Sequence, residues 1–201
     1  MIMTSILDQN LAQIIQNLIS QLSGIEFYGK VYRNDEETCI NTVYVPEPSR
    51  MIYVYGLSGE LPRVIRLKEG GIVEGAFAGT YCVELRKQPE TFRIYDKSLE
   101  WKEFPRESGL DIFWLLDPRK LLSEAKISGA RIEAPGVVKY ISVEYNALQL
   151  GLSETAKKFL KQHGEESRVA HLYLVEGKLS RLTQKDIPPL QDQVTVIFSY
   201  Y

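Results

Sequence analysis

The sequence predicts an α+β fold in which a curved antiparallel sheet carries one long N-terminal helix and a plug of short helices. Three observations carry that expectation. Apolar residues recur at spacings of three and four over residues 4–23. The hydrophobic period then falls to two from Gly24 to about Tyr95, with turn residues every eight to twelve positions, and strands return after Gly129. Between the two strand regions lies Leu110–Leu116, an apolar seven-residue run broken only by Asp111, which leads into an Asp-Pro helix start.

The first helix takes its apolar side from Leu7, Leu11, Ile14, Ile15, Leu18, Ile19 and Leu22. Ser5 followed by Asp8 resembles a capping box, and Gly24 is a natural stop. Its other side, Gln9, Asn10, Gln13, Gln16, Asn17, Ser20 and Gln21, is polar but almost uncharged. A membrane-surface helix wants Lys and Arg there, so this one is expected to pack on its own sheet.

Short strands follow, rich in Val, Ile, Tyr and Phe: Ile25–Tyr32, Thr38–Val45, Met51–Leu57, Arg63–Lys68, Ile72–Phe77, Tyr81–Arg86 and Thr91–Tyr95. Asn34–Glu37, Pro46–Pro48 and Ser58–Glu60 supply turns. Spacing of this kind marks an antiparallel meander, not βαβ units. Asp117 is the expected N-cap of a second helix with Pro118 at its first position, and Asp111 is expected to cap the run before it. These short helices carry too much apolar surface to face water. A weak strand at Arg131–Glu133 and a clear one at Val137–Tyr145 come next. Ser153 caps a helix over Glu154–His163, with lysines at its end and Gly164 as its stop. Val169–Val175 and Lys178–Thr183 meet at Glu176-Gly177, a two-residue hairpin turn, and Gln193–Tyr201 finishes the chain. No linker interrupts the series, so residues 1–201 are expected to form a single domain.

Composition narrows the function. Lys+Arg 24 against Asp+Glu 26 gives a net charge of −2, which argues against nucleic-acid binding. Two cysteines and two histidines exclude a four-cysteine zinc site and leave few routes to a catalytic metal. Cys39 and Cys82 are expected to be free thiols unless their strands are neighbours. No apolar run reaches the roughly 18 residues of a membrane span. The opening Met1–Asp8 has no basic n-region, which leaves a cytoplasmic protein or an exported one without its leader.

No catalytic motif is present, so no catalytic residue, metal or cofactor is expected. His171 lies with Val169 and Tyr173 on one strand face and is expected to be structural, as is His163 at a helix end. Glu165/Glu166 are expected in a solvated turn. Arg63, Arg66 and Lys68 form a basic strand face that is solvent-facing or docks an acidic partner or anionic head groups. The 12 Tyr, 7 Phe and 2 Trp fall mostly on strands. A curved sheet covered by so few helices leaves room for an apolar cavity, able to bind a water-poor ligand by area alone.

The order of elements resembles the bacterial lipoprotein-carrier superfamily, the LolA/LolB-like and LppX/LprG-like half-barrels. The resemblance is carried by the N-terminal helix and the opening strand Phe27-Tyr-Gly-Lys-Val-Tyr32. It continues through the central plug with Asp117-Pro-Arg-Lys-Leu-Leu122, the hairpin Leu174-Val-Glu-Gly-Lys-Leu-Ser-Arg-Leu182 and the last strand Val194-Thr-Val-Ile-Phe-Ser-Tyr200. It implies an unclosed β-barrel of about eleven strands under a helical lid, and a carrier of lipids or acylated molecules that performs no catalysis. It also implies a place in the cell envelope or periplasm and a membrane-associated donor or acceptor protein.

Strand alternation nominates Phe27, Val31, Tyr81, Val83, Leu85, Ile141, Val143, Tyr173 and Phe198 as inward-facing cavity residues, with Phe113, Trp114 and Leu115 as the lid. On that reading Trp114→Asp abolishes ligand loading and spares the sheet. The competing expectation is a non-enzymatic protein-interaction module whose barrel is filled by its own side chains.

Overall fold

The computed structural model describes residues 2–46, 50–56, 66–67, 73–74, 80–86, 92–95, 101–134 and 137–200. Helix α1 spans Ile2–Ser23, upstream of Ser5, so Ser5 is not its N-cap. Its buried stripe is Ile15, Leu18 and Leu22, the expected apolar side. Gly24 ends the helix by donating its N–H to the carbonyls of Ser20 and Gln21, both at 3.2 Å.

The strands are β1 (Phe27–Arg33), β2 (Glu36–Val45), β3 (Arg50–Gly56), β4 (Arg66–Leu67), β5 (Val73–Glu74), β6 (Thr80–Arg86), β7 (Phe92–Tyr95) and β8 (Trp101–Phe104). After the helical segment come β9 (Lys126–Ala134), β10 (Val137–Asn146), β11 (Ser167–Val175), β12 (Lys178–Lys185) and β13 (Gln193–Tyr200). Among the described residues eleven strands form one sheet in the order β8-β7-β6-β3-β2-β1-β13-β12-β11-β10-β9, while β4 and β5 pair only with each other. Every pairing is antiparallel. The sheet is unclosed, with β8 and β9 as its edges. It is therefore two meanders sewn together by β1 and β13, in register from Phe27↔Tyr200 to Arg33↔Val194.

Two hairpin turns follow directly from their residues. Asn34 and Asp35 adopt φ 48° and 66°, and Glu176 and Gly177 adopt 52° and 76°. Positive φ at both central positions gives the turn a twist that matches the flanking strands. The edge strand β8 is missing from the sequence-based expectation, as is most of β9; of the expected strands 63–68 and 72–77, the described residues form β4 and β5 and the others lie outside the described residues. Arg63 and Lys68 lie outside the described residues, as does the side chain of Arg66. Cys39 and Cys82 are free. Their strands, β2 and β6, are separated by β3.

The topology dictates the rest. The chain leaves the sheet at edge strand β8 and returns at the opposite edge, β9, so residues 105–125 must travel across a sheet face. This crossover holds 3-10 turns at Arg106–Ser108 and Leu110–Leu116 and helix α2, Pro118–Glu124. Helix α3 (Glu154–Gln162) packs beside it, capped by the Ser153 hydroxyl, which accepts the Ala156 N–H at 3.1 Å.

The main core lies between the sheet and these helices. It joins Ile15, Leu18 and Leu22 of α1 to Ile112, Trp114, Leu115 and Leu121 of the crossover and to inward residues of both meanders. A smaller cluster, Val43, Val45, Ile52, Val54 and Cys82, lies on the opposite face of β2, β3 and β6. On the inner face Gly29 is buried, and a Cβ there would land on Thr42 Oγ1 and 2.5 Å from Val196 Cγ1. Gly29→Ala is expected to cost about 1–3 kcal/mol through overpacking, measured as a lowered urea midpoint. An unchanged midpoint would show that β1, β2 and β13 do not close on each other there.

Candidate functional site

The seam between the crossover and the inner sheet face is built from side chains that reach up from the strands. A 3-10 run leaves backbone carbonyls without helical partners, and burying them unpaired is costly. Two sheet residues supply donors. The Tyr44 hydroxyl of β2 donates to the Leu116 carbonyl at 2.8 Å, and Gln184 Nε2 of β12 donates to the Leu115 carbonyl at 2.6 Å. Burial pushes the Tyr44 phenol far above the ordinary tyrosine range, with Asp117 nearby adding to it, so the group stays a neutral donor.

A buried ion pair anchors α2. Asp117 accepts the Arg119 N–H as N-cap at 2.9 Å, as the sequence predicts, and its carboxylate also takes Arg119 Nη2 at 2.8 Å. The guanidinium then spans to the sheet: Nη1 donates to the Val45 carbonyl at 2.7 Å and Nη2 to the Arg50 carbonyl at 3.0 Å. It also lies 5.7 Å from the Tyr44 ring centroid and 5.9 Å from that of Phe27. Those two rings are themselves stacked, centroids 4.4 Å apart.

Asp111 does not cap its own turn. It is fully buried and accepts from the Ser153 N–H at 2.5 Å and the Ser153 hydroxyl at 2.7 Å, tying the crossover to the start of α3. Glu165, expected in solvent, is buried between Arg168, at 3.1 Å, and Lys185. Arg168 continues to the Tyr145 hydroxyl at 3.0 Å, and that hydroxyl donates to Gln184 Oε1 at 2.8 Å. A chain of bonds thus runs from Glu165 to the Leu115 carbonyl. Burial raises the Tyr145 pKa, and the Cys82 thiol is pushed up to about 12 by burial, which keeps it an unreactive apolar group.

Most of the nominated residues converge. Phe27, Val31, Val83, Leu85, Trp114, Leu115, Ile141, Val143 and Phe198 share the main core, and Phe113 packs partly buried against it. The side chain of Tyr81 lies outside those described. Tyr173 is a correction. The inward residues of β11 are Arg168, Ala170, Leu172 and Leu174, so Tyr173 stands on the opposite face, under the Arg181 guanidinium at 4.1 Å from its ring centroid. His171 shares that outer face, its Nδ1 2.5 Å from the Tyr140 hydroxyl. Trp114, placed in the lid, is only 7% exposed and belongs to the packed core, so its replacement by Asp would disrupt that core along with any cover. Phe113 is the crossover aromatic at the surface of the seam, its ring 4.7 Å from that of Tyr53.

Among the described residues, clefts open beside α1 and beside the crossover. A cleft of about 420 Å³ opens where α1 meets the sheet, walled by Ile14, Leu18, Val138 and Leu174 with Asn17 and Gln21 at its rim. A smaller one of about 190 Å³ lies among Val31, Tyr53, Phe113, Leu116 and Val194. Of the nominated residues with described side chains, Val31 and Phe113 line a cleft. Among the described residues no group of three or more His, Cys, Asp or Glu is placed to hold a metal ion, and no helix is long and apolar enough to cross a membrane. No protein-family model and no curated protein sequence matches the chain.

Sequence reasoning missed Arg119, Gln184, Arg168 and Arg33 as interior groups. Arg168 and Arg33 carry a usable signal, since Arg168 shares strand parity with Ala170, Leu172 and Leu174 and Arg33 with Phe27, Gly29 and Val31. Arg119→Met strips a buried carboxylate of its partner and is expected to destabilise by about 3–5 kcal/mol, measured by urea unfolding. A loss below about 1 kcal/mol would mean that Asp117 is solvated and the anchor is not formed.

Proposed function

We propose that this protein binds a lipid or acylated molecule between a curved, half-barrel sheet and the crossover, which acts as its lid, and that it performs no catalysis. The observation that carries the reading is the seam itself. An apolar inner sheet face is covered by a helical layer, and clefts open between the two: about 420 Å³ beside α1, and about 190 Å³ beside the crossover, where Phe113 and Leu116 line it together with Val31 and the charged Arg33 and Asp186. Sites for water-poor ligands are concave and mostly apolar, with a few polar groups that orient the ligand. The clefts are smaller than a multi-acyl lipid needs, so full loading requires the crossover to lift from the core. Its attachments, from Tyr44, Gln184 and Arg119, are the bonds that such a movement would exchange.

The resemblance to lipoprotein carriers supports this reading. With it come a place in the cell envelope and transfer of the cargo to or from a membrane-associated protein. A second reading keeps specific support. Tyr44, Phe27, Leu115, Leu121 and Ile141 leave essentially no exposed surface, which suits a side-chain-filled barrel acting as an interaction module.

Native mass spectrometry with organic extraction separates the two. A co-purifying lipid released only on denaturation supports the carrier. A clean apo mass, unchanged after incubation with fatty acids, phospholipids and lipopeptides, supports the filled module. Phe113→Asp is expected to reduce bound lipid at least tenfold while leaving the far-ultraviolet circular dichroism of the sheet intact, because this ring is only partly buried, at the edge of the main core. Normal loading by that variant would remove the crossover from the binding role.

A further inference from the structure

The smaller cleft is lined by a charged pair at one end and by apolar side chains beyond it, and β1 contributes to both through Arg33 and Val31. Arg33 and Asp186 are the charged residues that line it. Arg33 ends the inward-facing row Phe27, Gly29, Val31, Arg33 of β1, so polarity falls from the sheet end toward the core. Arg33 Nε donates to Asp186 Oδ2 at 2.5 Å, and Asp186 Oδ1 accepts the Ile187 N–H at 2.7 Å. The Asp186 side chain is 4% exposed and that of Arg33 29%. Burial works against the Arg33 charge, but the bond and charge of Asp186, together with Tyr53, outweigh it, so the guanidinium stays charged.

The mouth is also fixed in place. Asp186 N–H donates to the Asp192 carbonyl at 2.8 Å. Asn34 in the adjoining hairpin turn bonds Asp192 Oδ1 at 2.9 Å and accepts the Gln193 N–H at 3.0 Å. Pro188, Pro189 and Leu190 form the outer wall between these anchors.

A guanidinium and a carboxylate side by side present N–H donors next to an acceptor, with no net charge. A carboxylate head entering here meets Asp186, and an ammonium head meets Arg33; either gives up its hydration without a net opposite charge to replace it. A head with one carbonyl acceptor and one N–H donor matches both partners and leaves its chain against Val31, Leu116 and Val194. At about 190 Å³, or roughly six water volumes of about 30 Å³ each, the cleft takes a short acyl stretch.

We propose that the Arg33–Asp186 mouth selects an uncharged acyl amide head over acyl carboxylates and amines, with the first part of the acyl chain in the cleft. This rests on the lipid-binding reading and names the head group that one of its clefts takes.

The test is a ¹⁵N-NMR titration of the full chain with octanamide, octanoate and octylamine at neutral pH, following backbone amides and the Arg33 Nε–H. Octanamide is expected to shift Val31, Arg33 and Val194 and to bind at least tenfold more tightly than either charged probe. In Asp186→Asn, which keeps an acceptor for the Ile187 N–H, the uncompensated guanidinium is expected to make octanoate the tightest of the three. Equal responses to all three probes, or shifts confined to Ile14, Leu18 and Leu174 of the larger cleft, overturn the head-group assignment and leave acyl binding standing. No shift with these probes or with dodecyl maltoside overturns the assignment and the lipid-binding reading together.

Discussion

One topological constraint organises this molecule: the chain leaves its eleven-stranded sheet at edge strand β8 and must rejoin it at the opposite edge, β9. A connection between opposite edges cannot run around the outside in so few residues, so it lies across the face that the two meanders share. That path brings an apolar run and a short helix over the sheet, and it creates the core. It also carries buried backbone groups into a region where no strand can pair with them. The side chains that rise from the sheet to satisfy those groups, Tyr44 and Gln184, are therefore as much a consequence of the topology as the apolar packing around them.

The same logic explains the charges inside. Asp117 with Arg119, Glu165 with Arg168 and Lys185, and Asp186 with Arg33 are all placed where a strand, a helix start or a turn must be joined to a neighbour. Each pair is bonded further to main-chain carbonyls or amides, which is what makes a buried charge tolerable. The strands are held by backbone ladders, whereas the crossover is held by apolar packing and by discrete bonds from side chains to carbonyls. That difference is the physical ground on which the proposed lid role is argued.

Much of the fold was legible because local chemistry and global fold agree. Asp117-Pro118, Ser153 and the Glu176-Gly177 turn each announce an element boundary by a stated mechanism, and each boundary lies where that mechanism puts it. The α+β class and the antiparallel strands follow from the switch of hydrophobic period. The candidate site was less legible. In β11 both faces are apolar, Ala170, Leu172 and Leu174 on one and Val169, Tyr173 and Val175 on the other, so alternation alone could not choose between them. Alternation nominates Tyr173 as inward, but it stands on the outer face, where the Arg181 guanidinium covers its ring. Arg119 and Gln184 gave no signal, because a polar residue acquires an interior role only from a partner brought close by the fold. The partner of Gln184 is a carbonyl 69 positions away in sequence.

The central claim is that the crossover is a separable layer pinned to the sheet by those few bonds. Native-state hydrogen exchange tests it most directly. The account predicts that amides of Ile112–Leu122 exchange through an opening smaller than global unfolding, while those of β1, β12 and β13 exchange only when the whole sheet opens. Exchange of the crossover and of β1 and β13 with one common opening free energy would contradict it, and would mark the helical layer as a permanent part of a filled core.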